Sequence, residues 1–247
     1  TASDPQVSPD GKSLLFTRSW ADPSAAKSKS AIWIADADGG DPRVFNMRSS
    51  SPRWSPDGTR VAFVSDRGEK SQLFVAPLNG GEARQVTKAK WGVSSPAWSP
   101  DGTRIAFAAT IGGNTDIYVA DADGKNAARI TEAPEADQEL AWSPDGGTIA
   151  FTSLRSGTAQ IWAMNADGTG VRQLTTGTGA NSAPAFRPDG RIIAFISTRD
   201  GNADLFEMGN EGADPRAITR TPETEAFPAY FPDGDLAVTV ERPGRGD

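Results

Sequence analysis

Three short segments place alternating carboxylate or amide side chains before a glycine, which is the spacing with which a calcium-binding loop begins. They are residues 36–39, 121–124 and 165–168. A loop of that kind needs an oxygen ligand at its fifth position and a glutamate at its twelfth, and counting from Asp36 these positions hold Gly40 and Met47. Because Asp and Asn side chains also bond to the backbone of tight turns, the pattern favours hairpin turns. We predict no metal site.

Two missing residue types exclude a Ser-His-Asp triad, a cysteine nucleophile and the usual zinc site. The sequence contains no histidine and no cysteine. A serine nucleophile of the Ser-His-Asp kind needs an imidazole to accept its proton, and the Gly-x-Ser-x-Gly elbow of hydrolases is also absent. The usual zinc ligands are missing as well. We therefore predict that this chain alone is not an enzyme and that it needs no cofactor.

The charge and hydropathy pattern narrows the class of partner. The 247 residues have a net charge of -7, and the 25 Lys and Arg residues are scattered through the chain rather than gathered in a basic stripe. Phosphate backbones attract such stripes, so we predict no nucleic-acid partner. No apolar run approaches the roughly 18 residues that a bilayer span requires, so we predict no membrane insertion.

A Ser-Pro-Asp-Gly tetrapeptide, or a close variant of it, occurs six times. The last five copies stand 44 residues apart, and a fixed period of about 40–50 residues is the mark of a repeat array. We predict a single domain over residues 1–247, an all-β, six-bladed β-propeller of four-stranded antiparallel blades. The motif prolines are Pro9, Pro56, Pro100, Pro144, Pro188 and Pro232.

One repeat shows how a blade would be built. Strands are predicted at residues 95–99, 103–107, 116–120 and 128–131, with a Pro-Asp-Gly turn between the first two, and four short strands per period make one blade. The sixth copy has only its first two predicted strands before Asp247, so the sixth blade is expected to be incomplete in this chain. Aromatic residues recur in the first strands, and we predict that they pack between blades: Trp54, Trp98, Trp142, Phe186 and Tyr230.

A Ser-x-Arg pattern follows several second strands and is predicted to make a structural link between neighbouring blades. Repeated units share scaffolding roles, so a side chain that recurs in several blades favours structure over a single binding site. The pairs are Ser65/Arg67, Ser153/Arg155 and Ser197/Arg199, and Arg242 stands at the matching place in the last copy.

Function is expected where the repeats differ, because loops on one face of a repeat array carry specificity. The segments that enter the first strands are rich in Asp, Glu, Gln, Asn and Ser, including Ser51 and Ser95. If the blades close, these side chains ring one mouth of the channel and make it acidic, so a basic peptide, a cation or a partner loop could bind there; a merely solvated rim is the alternative. The predicted partner-binding residues are Asp4, Trp91, Asp137, Gln138, Glu139, Asn181, Glu223, Glu225 and Phe227.

The repeated Trp-Ser-Pro-Asp-Gly segments at residues 54–58, 98–102 and 142–146 resemble the WD40-like (PD40) repeat of TolB-type propellers. In that family the propeller is a binding module, and TolB itself is periplasmic and holds a protein partner at one mouth of its propeller. The resemblance implies a non-catalytic module that binds a protein or peptide at the channel mouth. It also favours a periplasmic or other extracytoplasmic location.

Residues 4–11, 80–87 and 92–98 are also similar to the N-terminal propeller of the prolyl oligopeptidase (S9) superfamily, particularly its acylaminoacyl peptidase branch. There the propeller gates access to an α/β-hydrolase domain that follows it in sequence. The resemblance implies a second possible role, a substrate gate for a downstream hydrolase domain that is not in this chain, with a cytoplasmic location. A carbohydrate- or cation-binding propeller that uses the same acidic mouth is a third.

Overall fold

The computed structural model describes residues 1–22 and 28–241, and in these ranges the chain forms strands and no helix. The first three sheets are β1 (Ala2–Val7), β2 (Ser13–Ala21), β3 (Ser28–Asp36) and β4 (Arg43–Met47); β5 (Ser49–Trp54), β6 (Arg60–Ser65), β7 (Gln72–Pro77) and β8 (Arg84–Gln85); and β9 (Val93–Trp98), β10 (Arg104–Ile111), β11 (Asn114–Asp121) and β12 (Ala128–Arg129). Two further sheets and a hairpin follow: β13 (Asp137–Trp142), β14 (Thr148–Ser153), β15 (Gln160–Asn165) and β16 (Arg172–Gln173); β17 (Asn181–Phe186), β18 (Ile192–Ser197), β19 (Asp204–Gly209) and β20 (Arg216–Ala217); and β21 (Thr224–Tyr230) with β22 (Leu236–Glu241).

The all-β propeller architecture is present, but the prediction of six blades is wrong. The described residues form five four-stranded antiparallel sheets, and the last motif copy forms only the two-stranded hairpin of β21 and β22. Each Pro-Asp-Gly copy marks a single turn between a first and a second strand, whereas a four-stranded blade also needs a third and a fourth strand. Counting motif copies therefore overestimated the number of blades.

The sheets are arranged as a ring around the first strand of each. Contacts run from β1 to β5, β9, β13, β17 and β21, and β21 contacts β1 again. The β21–β22 hairpin thus sits between the fifth sheet and the first. Because each first strand contacts the first strands of both neighbouring sheets, and the later strands of each sheet follow it in order, the six first strands surround the centre.

The Pro-Asp-Gly turn is stabilised by its serine and its aspartate. The Ser55 hydroxyl donates to Asp57 Oδ1 at 2.5 Å and accepts the Arg60 N–H at 2.9 Å, while Gly58 takes up a φ of 68°. This serine hydrogen bond, helped by the Thr59 N–H, lowers the pKa of the Asp57 carboxyl to about 2. The tight hairpin predicted from the motif is confirmed.

The hairpin-turn interpretation of residues 36–39 is also confirmed. The Gly39 N–H bonds to the Asp36 carbonyl at 2.8 Å, and the Gly40 N–H bonds to Asp38 Oδ1 at 2.9 Å. Across residues 1–22 and 28–241, no three acidic side chains come together in a way that could hold a metal ion. In the same ranges no helix is long and apolar enough to cross a membrane.

The hydrophobic core lies between neighbouring sheets, as predicted for the first-strand aromatics. Trp98 is buried in a cluster with Ala62 and Val75 of the preceding sheet. Its indole N–H donates to the Arg53 carbonyl of that sheet at 3.1 Å. The indole therefore both fills the space between two sheets and ties their first strands together.

Candidate functional site

Each first strand contains a bulge at the same level of the ring. In β1 the pairing with β2 shifts between Ser3 and Gln6, and the other five first strands shift in the same way. A β-bulge re-aims the side chains next to it. In each of the six first strands, one non-glycine residue of the bulge has a left-handed backbone conformation, with φ from 51° to 54°. These residues are Asp4, Ser51, Ser95, Glu139, Ala183 and Phe227.

These six left-handed residues line one cavity of about 130 Å³ on the channel axis. Its wall is divided by polarity. The first three sheets contribute polar and charged side chains, whereas β13, β17 and β21 contribute mainly apolar ones and a single glutamate. The other lining residues are Gln6, Arg53, Leu140, Pro184 and Pro228.

A larger cavity of about 510 Å³ continues the channel toward the Pro-Asp-Gly turns. It shares Gln6 and Arg53 with the smaller cavity, so the two are parts of one central channel. The first-strand aromatics, predicted as core, also line this part of the channel. Five motif prolines line it as well: Pro9, Pro56, Pro100, Pro188 and Pro232.

The Asp4 carboxylate is neutralised by a neighbouring guanidinium. Arg53 Nη1 lies 2.9 Å from both carboxylate oxygens, and Gln6 Nε2 donates to Oδ1 at 3.1 Å. Asp4 is buried, so the charge-assisted bonds replace the water that the carboxylate lost on folding. The predicted acidic side chain is at the site, but its charge is balanced within the wall.

The Glu139 carboxylate is held in place without a cation. Its Oε2 accepts the Thr152 hydroxyl at 2.9 Å and the Ala183 N–H at 3.1 Å. Among the described residues no Lys or Arg forms an ion pair with Glu139, and none donates a hydrogen bond to its Oε1. Of the carboxylates on the cavity wall, Glu139 is therefore the one whose charge remains unbalanced.

Phe227 is the exposed aromatic side chain of the same cavity. It retains 39% of its surface in solvent although it borders the channel. Leu140 and Pro184 line the wall with it. An exposed ring that lines the same cavity as an unbalanced carboxylate contributes to an amphipathic surface of the kind that anchors a partner side chain.

Two of the predicted binding residues are buried in the scaffold instead. Asp137 Oδ2 lies 2.7 Å from Arg155 Nη2 in a wholly buried position. The Asn181 amide donates to Gln160 Oε1 of the preceding sheet at 2.8 Å and accepts from Arg199 Nη2 at 2.9 Å. The structure places both side chains where they connect elements of the ring.

Three further predicted residues lie outside the cavity. Glu225 is buried, where it accepts the Leu205 N–H at 2.9 Å and the Thr219 hydroxyl. Gln138 and Glu223 are half-buried near the starts of β13 and β21. None of the three lines the small cavity with Asp4.

Trp91 borders a different depression. Its ring is 48% exposed, and the Lys90 ammonium lies 5.2 Å from the ring centre. It lines a cavity of about 410 Å³ together with Arg48 and Glu69, at the junction of the second and third sheets. The structure thus does not bring Trp91 to the channel residues.

The Ser-x-Arg pattern makes structural hydrogen bonds, as predicted, but not all of them join neighbours. Arg155 Nε donates to Ser153 Oγ at 2.9 Å within its own sheet, and Arg199 repeats this contact. Arg67 instead donates to Asn46 Oδ1 on β4 at 2.6 Å, which does link two sheets. Arg242 lies outside the described residues.

Several lining residues were not among the predicted binding residues, which were chosen from polar loop positions. Ala183 and Pro184 are apolar, and Arg53 lies two residues beyond the variable Ser51. Their signal was the register itself, since residues spaced by the repeat period stand at equivalent levels of the ring. The residues at the level of Asp4 and Glu139 in every repeat together make up most of the wall.

Comparison with known families gives a match over most of the chain. The family model described as TolB beta propeller domain (PD40) matches residues 19–180. A solved structure described as a putative TolB from Agrobacterium tumefaciens superposes with a TM-score of 0.83 at 25% identity, and covers 97% of this chain and 89% of that one.

Two curated relatives match shorter stretches. The uncharacterized peptidase YuxL of Bacillus subtilis (strain 168) is 39% identical over 98 residues, which are 38% of this chain and 15% of that protein. The Tol-Pal system protein TolB of Methylococcus capsulatus (strain ATCC 33009 / NCIMB 11132 / Bath) is 43% identical over 61 residues, which are 24% of this chain and 14% of that protein. The matched stretches span less than a sixth of the length of either relative.

Proposed function

Because the chain belongs to the PD40 family of TolB β-propeller domains, we propose that it is a non-catalytic binding module that holds a protein or peptide at the channel mouth. The contact residues in this proposal are Asp4, Glu139 and Phe227, which line the small cavity. Trp91, Gln138 and Glu223 would make outer contacts with a larger partner. The buried set, Asp137, Asn181 and Glu225, would support the wall from behind.

The observation that carries the proposal is the ring of six left-handed residues. A non-glycine residue in this conformation costs about 1–2 kcal/mol, and such strain clusters at binding and catalytic sites. Here the strained residue types vary from sheet to sheet, from Asp4 and Glu139 to Ala183 and Phe227. A purely structural bulge has no need of this variety, whereas a surface that recognises one partner does.

The experiment is a selection of peptide ligands followed by mapping of their site. Peptides from a random library displayed on phage are selected on the immobilised chain, and their affinities are measured by calorimetry for the wild type and for Phe227→Ala. Because central aromatic contacts dominate interfaces, we expect the substitution to weaken binding by about ten-fold or more.

Trp20→Ala is the matched control for this mapping. Trp20 is 37% exposed, nearly as much as Phe227, but it does not line the channel. Its removal should leave the affinities unchanged. If Phe227→Ala binds the selected peptides as tightly as the wild type, or if no peptide is enriched, the proposal is wrong.

A second candidate function is that of a substrate gate in a peptidase. It is favoured by the 39% identity with the Bacillus subtilis protein named as an uncharacterized peptidase. The intact mass of the natural polypeptide distinguishes the two. A mass near 26.0 kDa supports a free-standing binding module, and a mass at least about twice as large, accompanied by peptidase activity, supports the gate.

A further inference from the structure

The net charge on the wall of the small cavity lies on a single carboxylate. Asp4, Arg53 and Glu139 are its ionisable lining residues. Asp4 and Arg53 neutralise each other at 2.9 Å, which leaves the Glu139 carboxylate as the net charge. An unbalanced carboxylate in a partly desolvated wall attracts a cation more strongly than an exposed one does.

The free oxygen of Glu139 is already positioned. The bulge places residue 139 at a φ of 51°, and the bonds from Thr152 and Ala183 hold Oε2. Oε1 is left without a donor from the described residues. A ligand that bonds to Oε1 would therefore find the carboxylate in place and would not have to order it.

The volume of the small cavity and its apolar lining residues restrict the ligand further. About 130 Å³ is well below the roughly 300–1,000 Å³ of small-molecule pockets, so the cavity has room for one side chain. Phe227, Leu140 and Pro184 offer that side chain an apolar wall. A long side chain with an apolar stem and a cationic end matches both the apolar wall and the Glu139 carboxylate.

A divalent metal ion fits the cavity less well. Calcium takes six to eight oxygen ligands, and Glu139 is the only carboxylate here that is not already paired with a guanidinium. No group of three acidic side chains suited to a metal is found in residues 1–22 and 28–241. The chemistry of the wall thus selects an organic cation.

We infer that the cavity binds one lysine or arginine side chain of the partner, with its stem against Phe227 and its cationic end on Glu139 Oε1. This inference rests on the proposed function, because it names the anchor of the peptide that the channel mouth would hold. The Ala183 N–H reports on it directly, since it already donates to the same carboxylate.

The test compares three blocked tripeptides, N-acetyl-Gly-X-Gly amides in which X is lysine, norleucine or glutamate. Each is titrated into the ¹⁵N-labelled chain at low salt, and the amide signal of Ala183 is followed. A charge-assisted hydrogen bond predicts that the lysine peptide binds at least about ten-fold more tightly than the norleucine peptide, and that the glutamate peptide binds most weakly. Equal affinities of the lysine and norleucine peptides, or shifts that leave Ala183 unaffected, would overturn the inference.

Glu139→Gln tests whether the tighter binding of the lysine peptide depends on the Glu139 carboxylate. Its amide oxygen can keep the bonds from Thr152 and Ala183, so the fold is preserved while the charge is lost. The lysine and norleucine peptides should then bind with affinities within about two-fold of each other. Glu69→Gln makes the same change in net charge on an exposed residue away from the cavity and should leave the ten-fold preference intact.

Phe227→Ala provides a second, independent variant. It should weaken the lysine and norleucine peptides alike, because both have the apolar stem. If library-selected peptides depend on Phe227 but show no preference for a cationic residue, the inference fails and the proposed function stands. If neither selected peptides nor tripeptides respond to Phe227→Ala, the proposed function fails as well.

Discussion

Replacing Asp137 with asparagine tests how adjacent sheets are joined, because this side chain sits at a junction that is incompletely hydrogen-bonded. Its Oδ2 pairs with Arg155 at 2.7 Å, but its Oδ1 is buried without a hydrogen-bond partner among the described residues. The buried Asp116, at the start of the third strand of the preceding sheet, has an Oδ1 in the same condition. Two carboxylates therefore each contribute an unpaired acceptor to one junction.

At the next junction of the ring, the residues at the equivalent positions are hydrogen-bonded to each other. Asn181 stands 44 residues after Asp137, and Gln160 stands 44 residues after Asp116. There the Asn181 amide donates to Gln160 Oε1 at 2.8 Å, and its oxygen still accepts from Arg199 at 2.9 Å. An asparagine at 137 would supply the donor that the first junction lacks.

The expected magnitude follows from two opposing terms. A buried acceptor without a partner costs about 1–3 kcal/mol, and the new amide would remove that cost for Asp116. The bond from Arg155 would lose its charge assistance, which is worth about 1 kcal/mol. Asp137→Asn is thus expected to raise the free energy of unfolding by about 1 kcal/mol, or the Tm by about 2–4 °C for a domain of this size.

The assay is urea denaturation followed by tryptophan fluorescence, with Asp137→Ala as the reference. The alanine variant leaves Arg155 without its carboxylate and should cost about 3–5 kcal/mol. The midpoint should move up for asparagine and down for alanine at an unchanged slope. If asparagine destabilises the chain as much as alanine does, the Asp137–Arg155 ion pair dominates the junction and the reasoning is refuted.

Two further predictions concern the turns. A Cβ on Gly168 would lie 2.6 Å from the Ile130 carbonyl oxygen, whereas one on Gly201, which has a similar positive φ, would meet nothing within 4 Å. Gly168→Ala should therefore lower the free energy of unfolding by about 1–3 kcal/mol more than Gly201→Ala in paired urea denaturations, and equal losses would contradict the close approach. The Ser55 hydroxyl lowers the pKa of Asp57 to about 2, and because folding lowers it, the stabilisation is complete above about pH 4 and is lost as the pH falls toward 2. Ser55→Ala should move this pKa back toward 3.8 in an NMR titration of the Asp57 carboxyl, and an unchanged midpoint would rule out the hydrogen bond as its cause.

Much of the fold could be predicted from the repeated turn. Proline at 56 and glycine at 58 set the backbone of a tight reversal locally, so each motif copy specifies a hairpin without help from distant residues. The alternating strands on either side follow from the same period. The count of six blades did not follow, because the last motif copy forms a hairpin of two strands and not a blade.

The candidate site was predicted in position but not in detail. Asp4, Glu139 and Phe227 were identified as variable residues at the entrance to first strands, and the structure brings these three to one cavity. Asp137 and Asn181 have the same residue types and the same sequence context, yet they are buried between strands and neighbouring sheets. Asp137 and Glu139 are two residues apart and would share a face of a regular strand, but the bulge between Gln138 and Ala141 re-aims the side chains, and composition does not record it.

The sequence by itself determined the repeat period, the hairpins, the aromatic packing between sheets and the absence of imidazole or thiol chemistry, because these depend on residue type and short-range spacing. Only the tertiary structure decided which carboxylate on the wall of the small cavity is neutralised and which one is left unbalanced. Asp4 meets Arg53 across two sheets, 49 residues apart, while Glu139 forms no ion pair with a Lys or Arg of residues 1–22 or 28–241. Net charge at a site depends on such long-range pairing, and the pairing exists only once the first strands have closed into a ring.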